Sequence, residues 1–337
     1  MEGVSREIRL AARPRGLPRE EDFELAETPI QSPGEGELLI RNAYFSVDPY
    51  MRPRMNETRS YVPPFELGEP LEGGAVGRVE ESRHPAFSAG DWVLHGLGWR
   101  EWALSDGSAV RVLDLSLAPV TTALGVLGMP GLTAYHGLFE IGRPKEGETV
   151  FVSGAAGAVG SAAGQMAKIA GCRVLGSAGS PEKVAWLSEL GFDAAFDYHE
   201  RSPRDALREL APEGIDIYFD NVGGDHLEAA IGALRTYGRI VACGSIALYN
   251  ETEPPPGPRN LFQVVTKRLL MQGFIISDHF AEFPEFLARA GEWVREGRLR
   301  YRETIVEGIE NAPRAFIGLF TGENIGKMLV QVGPGPS

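Results

Sequence analysis

A chain of 337 residues exceeds one average hydrophobic core, so two domains are the starting expectation. Its 43% hydrophobic, 23% charged and 9% aromatic content is that of an ordinary globular protein. A formal net charge of -13 argues against a nucleic-acid surface, which needs clustered Lys and Arg, so any anionic ligand has to be held by local design.

The two cysteines, Cys172 and Cys243, lie far apart, each in a hydrophobic run that reads as a buried strand. Two buried thiols suggest a reducing compartment rather than a disulfide scaffold. The first ten residues carry charge throughout, so no signal peptide is expected, and no apolar run approaches the ~18 residues of a bilayer span. A cytoplasmic protein without a membrane partner is the expectation.

In chain order, the first third reads as short strands at 37–43, 73–80, 91–95 and 109–113, separated by Pro- and Gly-containing turns. Such spacing without a long helical period indicates an all-β unit. From about residue 122 the rhythm becomes strand, helix, strand, helix. A strand at 149–153 leads through a glycine-rich turn to a small-residue helix ending at 170, then a strand at 173–177. Ser180 and Pro181 open the next helix as N-cap and first helical residue, and Gly191 stops it. Strands at 194–197, 215–220 and 239–244 alternate with helices begun at Ser202-Pro203 and over 225–235. This alternation predicts a parallel, doubly wound sheet. The stretch 254–258 is a Pro-rich loop. Strands at 304–306 and 327–332 around a helix at 312–319 return the chain to its first domain. The expected division is 1–121 with 300–337 as one domain and 122–299 as an inserted second.

Gly154-Ala155-Ala156-Gly157-Ala158-Val159-Gly160 lies between strand and helix, where glycines let the backbone approach a pyrophosphate at a helix N-terminus. Ala155 replaces one glycine of the usual frame. Packing alone would also use such a turn, but the strand–turn–helix context favours a dinucleotide. An NAD site places a carboxylate at the end of the second strand; here the residues are Gly176-Ser177-Ala178-Gly179-Ser180. The missing acid, with Ser180 and Lys183 nearby, favours NADP. Lys183 in the first turn of a helix opposes the macrodipole, and a phosphate partner would explain it. Tyr198, after the third strand, is placed against the adenosine end.

Neither cysteine lies in the first domain, no C-x-x-C occurs, and the six histidines show no i, i+4 pair, so no metal site is expected. Without a Lewis acid, a simple ketone loses its usual alkoxide stabilisation. A conjugated enone is easier, because hydride adds to the β-carbon and charge spreads into an enolate that hydrogen bonds can hold.

Several motifs then stand in order along nearly the whole chain: Ser46-Val47-Asp48-Pro49-Tyr50-Met51-Arg52, Met129-Pro130-Gly131-Leu132-Thr133-Ala134-Tyr135, the glycine turn, Tyr218-Phe219-Asp220-Asn221-Val222-Gly223-Gly224, Gly238-Arg239-Ile240 onward to Tyr249-Asn250, and Gly322-Glu323-Asn324-Ile325-Gly326-Lys327. With them the chain resembles the zinc-independent medium-chain reductases of the prostaglandin reductase/leukotriene B4 dehydrogenase group, the NADP-dependent alkenal/one oxidoreductases. The resemblance implies a GroES-like β-rich catalytic domain interrupted by a Rossmann domain, with NADPH in the cleft between them. It implies that the turn brackets the pyrophosphate and that Lys183 and Tyr198 hold the 2′-phosphate end. Asn221 would cap the fourth strand, while Cys243, Gly244, Ser245, Ile246 and Tyr249 line the nicotinamide half. Phe274, Ile275 and Ile276 would flank the ring, and Asn324 would reach it. Tyr249 resembles the residue that hydrogen-bonds the substrate carbonyl or enolate, and Tyr50 a wall of the substrate pocket. His279 departs from the aromatic or basic character the group leads one to expect.

The function that follows is NADPH-dependent reduction of α,β-unsaturated ketones and aldehydes by an oxidoreductase, expected as a homodimer. NADPH:quinone oxidoreduction on the same scaffold, or a non-catalytic NADPH-binding protein, are the alternatives.

Overall fold

The computed structural model describes residues 3–116 and 118–336. It divides into two compact units, Met1–Leu124 with Glu303–Ser337, and Gly125–Arg302.

The first unit begins with an antiparallel hairpin, β1 (Val4–Leu10) and β2 (Phe23–Pro29), which the charge of this stretch conceals in the sequence. Alternation puts Ile8 and Leu10 on one face, in the core, and Arg9 with its ion-pair partner Glu7 on the other, while Arg6, half-buried, pairs with Glu101. Next come β3 (Leu38–Ser46), the single turn α1 (Met51–Arg54), β4 (Ala75–Ser82), β5 (Trp92–His95), β6 (Trp102–Ser105) and β7 (Arg111–Val112).

The second unit opens on α2 (Met129–His136), which runs into a π-helical turn at Gly137–Gly142. It continues with β8 (Thr149–Val152), α3 (Ala158–Ile169), β9 (Arg173–Ala178), α4 (Pro181–Glu189), β10 (Ala194–Asp197), α5 (Pro203–Leu210), β11 (Ile215–Asp220), α6 (Gly224–Ala233), β12 (Leu234–Ala242), the short α7 (Gln263–Thr266), β13 (Leu270–Gly273) and α8 (Phe283–Arg295). The strands run parallel in the order β10-β9-β8-β11-β12-β13, a doubly wound sheet whose direction of winding switches between β8 and β11. Val150, Phe151 and Val152 are wholly buried, as a central parallel strand covered on both faces requires. The small residues of α3 allow close packing. A Cβ on Gly164 would lie 2.0 Å from the Phe192 ring. Ser180 accepts from Lys183 N–H as N-cap of α4, Pro181 follows, and Gly191 takes φ 87° beyond its end.

The chain then returns to the first unit with β14 (Glu303–Glu307), α9 (Ala312–Thr321) and β15 (Lys327–Gln331). β15 pairs with β3, completing a sheet ordered β14-β15-β3-β4-β5-β7 with β6 on β3. This GroES-like β-rich unit and the Rossmann unit form the expected fold class. The cysteines lie just outside the strands expected to hold them: Cys172 precedes β9 and is buried, and Cys243 follows β12 and is only partly so.

His95, ending β5, accepts from Leu97 N–H at Nδ1 (3.1 Å) and places Nε2 2.8 Å from Asn42 Oδ1. Because the Asn42 amide nitrogen already donates to Leu97 O and Arg100 O, its oxygen is the acceptor, which assigns a neutral ring protonated at Nε2. Burial, helped by the Arg100 charge, pushes His95 down to about 3. Burial likewise pushes His226, on α6, down to about 4, against the pull of Asp225. Each ring thus binds fewer protons folded than unfolded between these values and the ordinary 6.5. Their contribution to stability is complete above that range and is lost as pH falls through it, at up to about 1.4 kcal/mol per pH unit for each ring. Urea unfolding between about pH 7.5 and about pH 4.5 should show the decline. His95→Gln, whose amide can make both bonds without titrating, should flatten it; an unchanged slope would remove His95 from this account.

Candidate functional site

Apart from Asn324, which belongs to the GroES-like unit, the cofactor residues expected from the sequence gather at the carboxyl ends of the Rossmann strands. Gly154 leaves β8 with φ 57°, a left-handed conformation that glycine adopts without strain. Ala155 N–H donates to Ser177 O (2.9 Å), tying the turn to β9. A Cβ on Gly160 would fall 2.4 Å from Gly154 O, so only glycine lets α3 begin so close to the turn. Gly157 is the N-cap of α3 and Ala158 and Val159 start it, with no side chain capping the helix. The positive end of the dipole and the leading backbone N–H groups suit a pyrophosphate. Ala155 and Ala156 are buried beneath.

A Cβ on Gly179 would stand 2.7 Å from Tyr198 Oη and 3.3 Å from His199 Nε2. The turn after β9, which carries Ser180 and Lys183, therefore lies directly against the turn after β10. His199 is a residue that the sequence reading passes over, although its place beside Tyr198 was the available signal. The two rings are 4.4 Å apart. Tyr198 remains 36% exposed, open to a ligand, and Lys183 is half-buried. Burial pushes the Lys183 ammonium down, opposed by Glu182, a cost that an anionic partner would offset.

At the switch point, Asn221 donates its side-chain amide to Ser153 O (2.8 Å) and its backbone N–H to Ser153 Oγ (3.1 Å). It clasps the ends of β8 and β11. The buried Asp220 organises this junction, accepting from Tyr218 Oη (2.7 Å), Val222 N–H (3.0 Å) and Gly223 N–H (2.8 Å). Burial nevertheless holds its carboxyl above the usual range. Asp220 stands beside Asn221 in the same motif as a second organiser of the junction, and sequence alone gives it no separate signal. Asp220 O also receives Cys243 and Gly244 N–H, which docks the segment after β12 beside it. There Ser245 N–H donates to Tyr249 Oη (3.3 Å), which brings the phenol oxygen back against Ser245 and Gly244. Burial pushes the Cys243 thiol up to about 12, so it packs as a small apolar group. After β13, the Phe274 ring packs on Gly137 and His136, and Ile275 and Ile276 start a 3-10 segment.

In the GroES-like unit, the buried Lys327 Nζ lies 3.1 Å from Asp48 Oδ1 and also donates to Val47 O and Met328 O. Asp48 is bonded in turn to Ser46 Oγ. Two sequence motifs 280 residues apart thus meet in one satisfied buried pair. This network fixes the entry to α1, where Tyr50 packs on the core. Burial and the neighbouring Asp48 keep its phenol protonated. Asn324 donates to Gly326 O (2.8 Å), closing the turn before β15.

Residues 6–113 match the family profile described as the N-terminal domain of oxidoreductase, and residues 158–292 that of zinc-binding dehydrogenase. The NADPH-dependent curcumin reductase of Escherichia coli is 47% identical over 96% of this chain and 95% of its own. Prostaglandin reductase 1 of Rattus norvegicus is 44% identical over 94% and 95%. The crystal structure of CurA in complex with NADPH from Vibrio vulnificus superposes with a TM-score of 0.94 at 46% identity, covering 98% and 99%. The chain belongs to the NADP-dependent medium-chain reductases, in the prostaglandin and curcumin reductase group.

The reductase does not fit the cysteine-ligated zinc that the second profile's description suggests. Its GroES-like unit contains no cysteine. Cys172 donates to Lys145 O and is pushed up to about 11 by burial, so neither thiol is disposed to ligate as thiolate. A phosphorylated dinucleotide does fit the reductase, because the glycine cradle, the helix end without a side-chain cap and the Ser180–Lys183–Tyr198 corner lie along one edge of one sheet.

Proposed function

We propose that this protein reduces the carbon–carbon double bond of α,β-unsaturated ketones and aldehydes, with NADPH as cofactor. The observation that carries the reading is the Tyr249 hydroxyl, folded onto the segment that ends β12, on the same sheet edge as the glycine cradle. Bound NADPH supplies a hydride for the substrate β-carbon. The chain's own part is to orient and to stabilise. The α3 N-terminus and the corner formed by Ser180, Lys183, Tyr198 and His199 hold the phosphates. Phe274, Ile275 and Ile276 give an apolar flank to the nicotinamide, while Cys243, Gly244, Ser245 and Ile246 supply the surface against it. Tyr249 donates to the substrate oxygen as enolate charge develops, and Tyr249 or solvent then protonates the α-carbon. An amide N–H directed into the phenol oxygen polarises its O–H and strengthens it as a donor. Conjugation disperses the charge, so positioning and one good donor suffice without a Lewis acid. The roles that family resemblance implies for Tyr50 and Asn324 belong to the same proposal, as does a division into a cofactor domain at 122–299 and a catalytic domain at 1–121 with 300–337.

The test is NADPH oxidation with acyclic enones, enals and 1,4-quinones, with products identified by mass. Saturated carbonyl products are expected. Turnover of quinones alone would replace this reading with quinone reduction, and saturable NADPH binding without turnover would make the protein non-catalytic.

The reading includes a homodimer. Strand β13 lies at the sheet edge, exposed along its whole length, with Leu270 and Met271 on it and Phe262 and Val265 exposed just before it. An apolar open edge is a template for pairing, and a second copy satisfies it. Light scattering should give twice the chain mass, and Met271→Lys should halve it; a monomeric wild type would end the idea. Among the described residues no helix is long and apolar enough to cross a membrane, and the protonated thiols suit a cytoplasmic location.

A further inference from the structure

His136, the last residue of α2, and His279, in the 3-10 segment Ile276–Glu282, are far apart in sequence yet stack with ring centroids 3.7 Å apart. Both aim Nδ1 at one carboxylate. His136 Nδ1 is 3.1 and 3.0 Å from the two oxygens of Glu282, and His279 Nδ1 is 3.1 Å from one of them. All three donor atoms lie within 4.8 Å of one another. Neither the hydride chemistry nor the cofactor cradle uses this cluster, and His136 lies outside the stretch that matches the zinc-binding dehydrogenase profile.

We propose that His136, His279 and Glu282 form a binding site for a divalent transition-metal ion, zinc being the best match. Two imidazoles and one carboxylate favour zinc over magnesium or calcium, which prefer all-oxygen shells. In a tetrahedral zinc shell, bonds of about 2.0–2.1 Å set neighbouring ligand atoms roughly 3.3 Å apart, close to the 3.0–3.1 Å that separates each histidine Nδ1 from Glu282. The His279 and Glu282 side chains are 33% and 31% exposed, which gives the ion an entry path and a fourth position for water. The His136 side chain, 6% exposed, provides the rigid wall of the site. The α2 helix departs into its π-helical turn directly after this residue, an irregularity common beside functional sites. An ion here pins the segment Ile276–Glu282 to the end of α2 and takes no part in hydride transfer.

The test uses the full-length, tag-free protein stripped with chelator. Titration calorimetry with zinc chloride should give saturable binding of about one ion per chain, and zinc at ~100-fold above its Kd should raise the melting temperature by roughly 2–4 °C. His279→Phe keeps a ring stacked on His136 but removes a ligand, and Glu282→Gln keeps the shape but removes the charge. Both should weaken zinc binding beyond the roughly 10–100-fold cost of losing an outer-shell partner, while melting as the wild type does in chelator. Absent saturable binding, or undiminished affinity in both variants, overturns the site. Enone turnover in chelator reports on the metal-free reaction separately, so the two readings cannot fail together unnoticed.

Discussion

Replacing Lys183 by Ala should weaken NADPH binding by roughly 10–100-fold and leave NADH affinity nearly unchanged, as removal of one charge-assisted hydrogen bond worth about 1.5–3 kcal/mol implies. The reasoning starts from a position that is poor for a cation. Lys183 lies in the first turn of α4, against the helix dipole, and burial already pushes its ammonium down. A phosphate beside it reverses both penalties, since the negative charge suits the helix N-terminus and pairs with the ammonium. Strand β9 ends without a carboxylate, and the turn after it packs on Tyr198 and His199, so the group that distinguishes NADPH from NADH would sit among three polar side chains. Two fluorescence titrations with the purified variant decide the matter. The wild-type NADPH affinity should also fall more steeply with added salt than that of Lys183→Ala. Equal losses for both cofactors would show that Lys183 supports the fold rather than the phosphate.

The second large effect is expected in Tyr249→Phe, which should lower kcat for enone reduction by about 100-fold with NADPH binding unaltered, the scale of losing one oxyanion donor. Phenylalanine retains the ring and deletes only the oxygen that accepts Ser245 N–H at 3.3 Å. The freed amide lies in a partly exposed turn where water replaces the bond, so little stability is at stake. A fall in kcat at constant cofactor affinity marks an interaction made in the transition state. Unchanged turnover would leave Tyr249 as a covering aromatic and pass the oxyanion role to another donor.

Much of the Rossmann unit is legible locally. The strand at Ala194–Asp197 and the one at Ile215–Asp220 have the expected bounds, and α4 begins at its expected Ser-Pro cap. The strand expected at 239–244 instead starts at Leu234. Tyr237 takes φ 64° and the pairing slips between Ile215 and Ile217, so the extension has a bulge that breaks the pattern of a strand. Strand β13 is short and exposed, with its conformation set by the parallel ladder to β12 rather than by its own residues. Helix α8 was readable in principle from Phe286, Ala290 and Trp293 on one face.

What the amino-acid order determined by itself is therefore what a few neighbouring residues encode: the β-then-α/β rhythm, the helix caps, the glycine cradle, and a second strand ending without an acid. The tertiary structure alone decided which distant groups meet: Lys327 with Asp48, Gly179 with Tyr198 and His199, and His136 with His279 and Glu282. The division has a physical cause. Caps and periodicity act over one or two turns of chain, whereas these meetings depend on sheet order and on helices packing across it, which no local stretch carries.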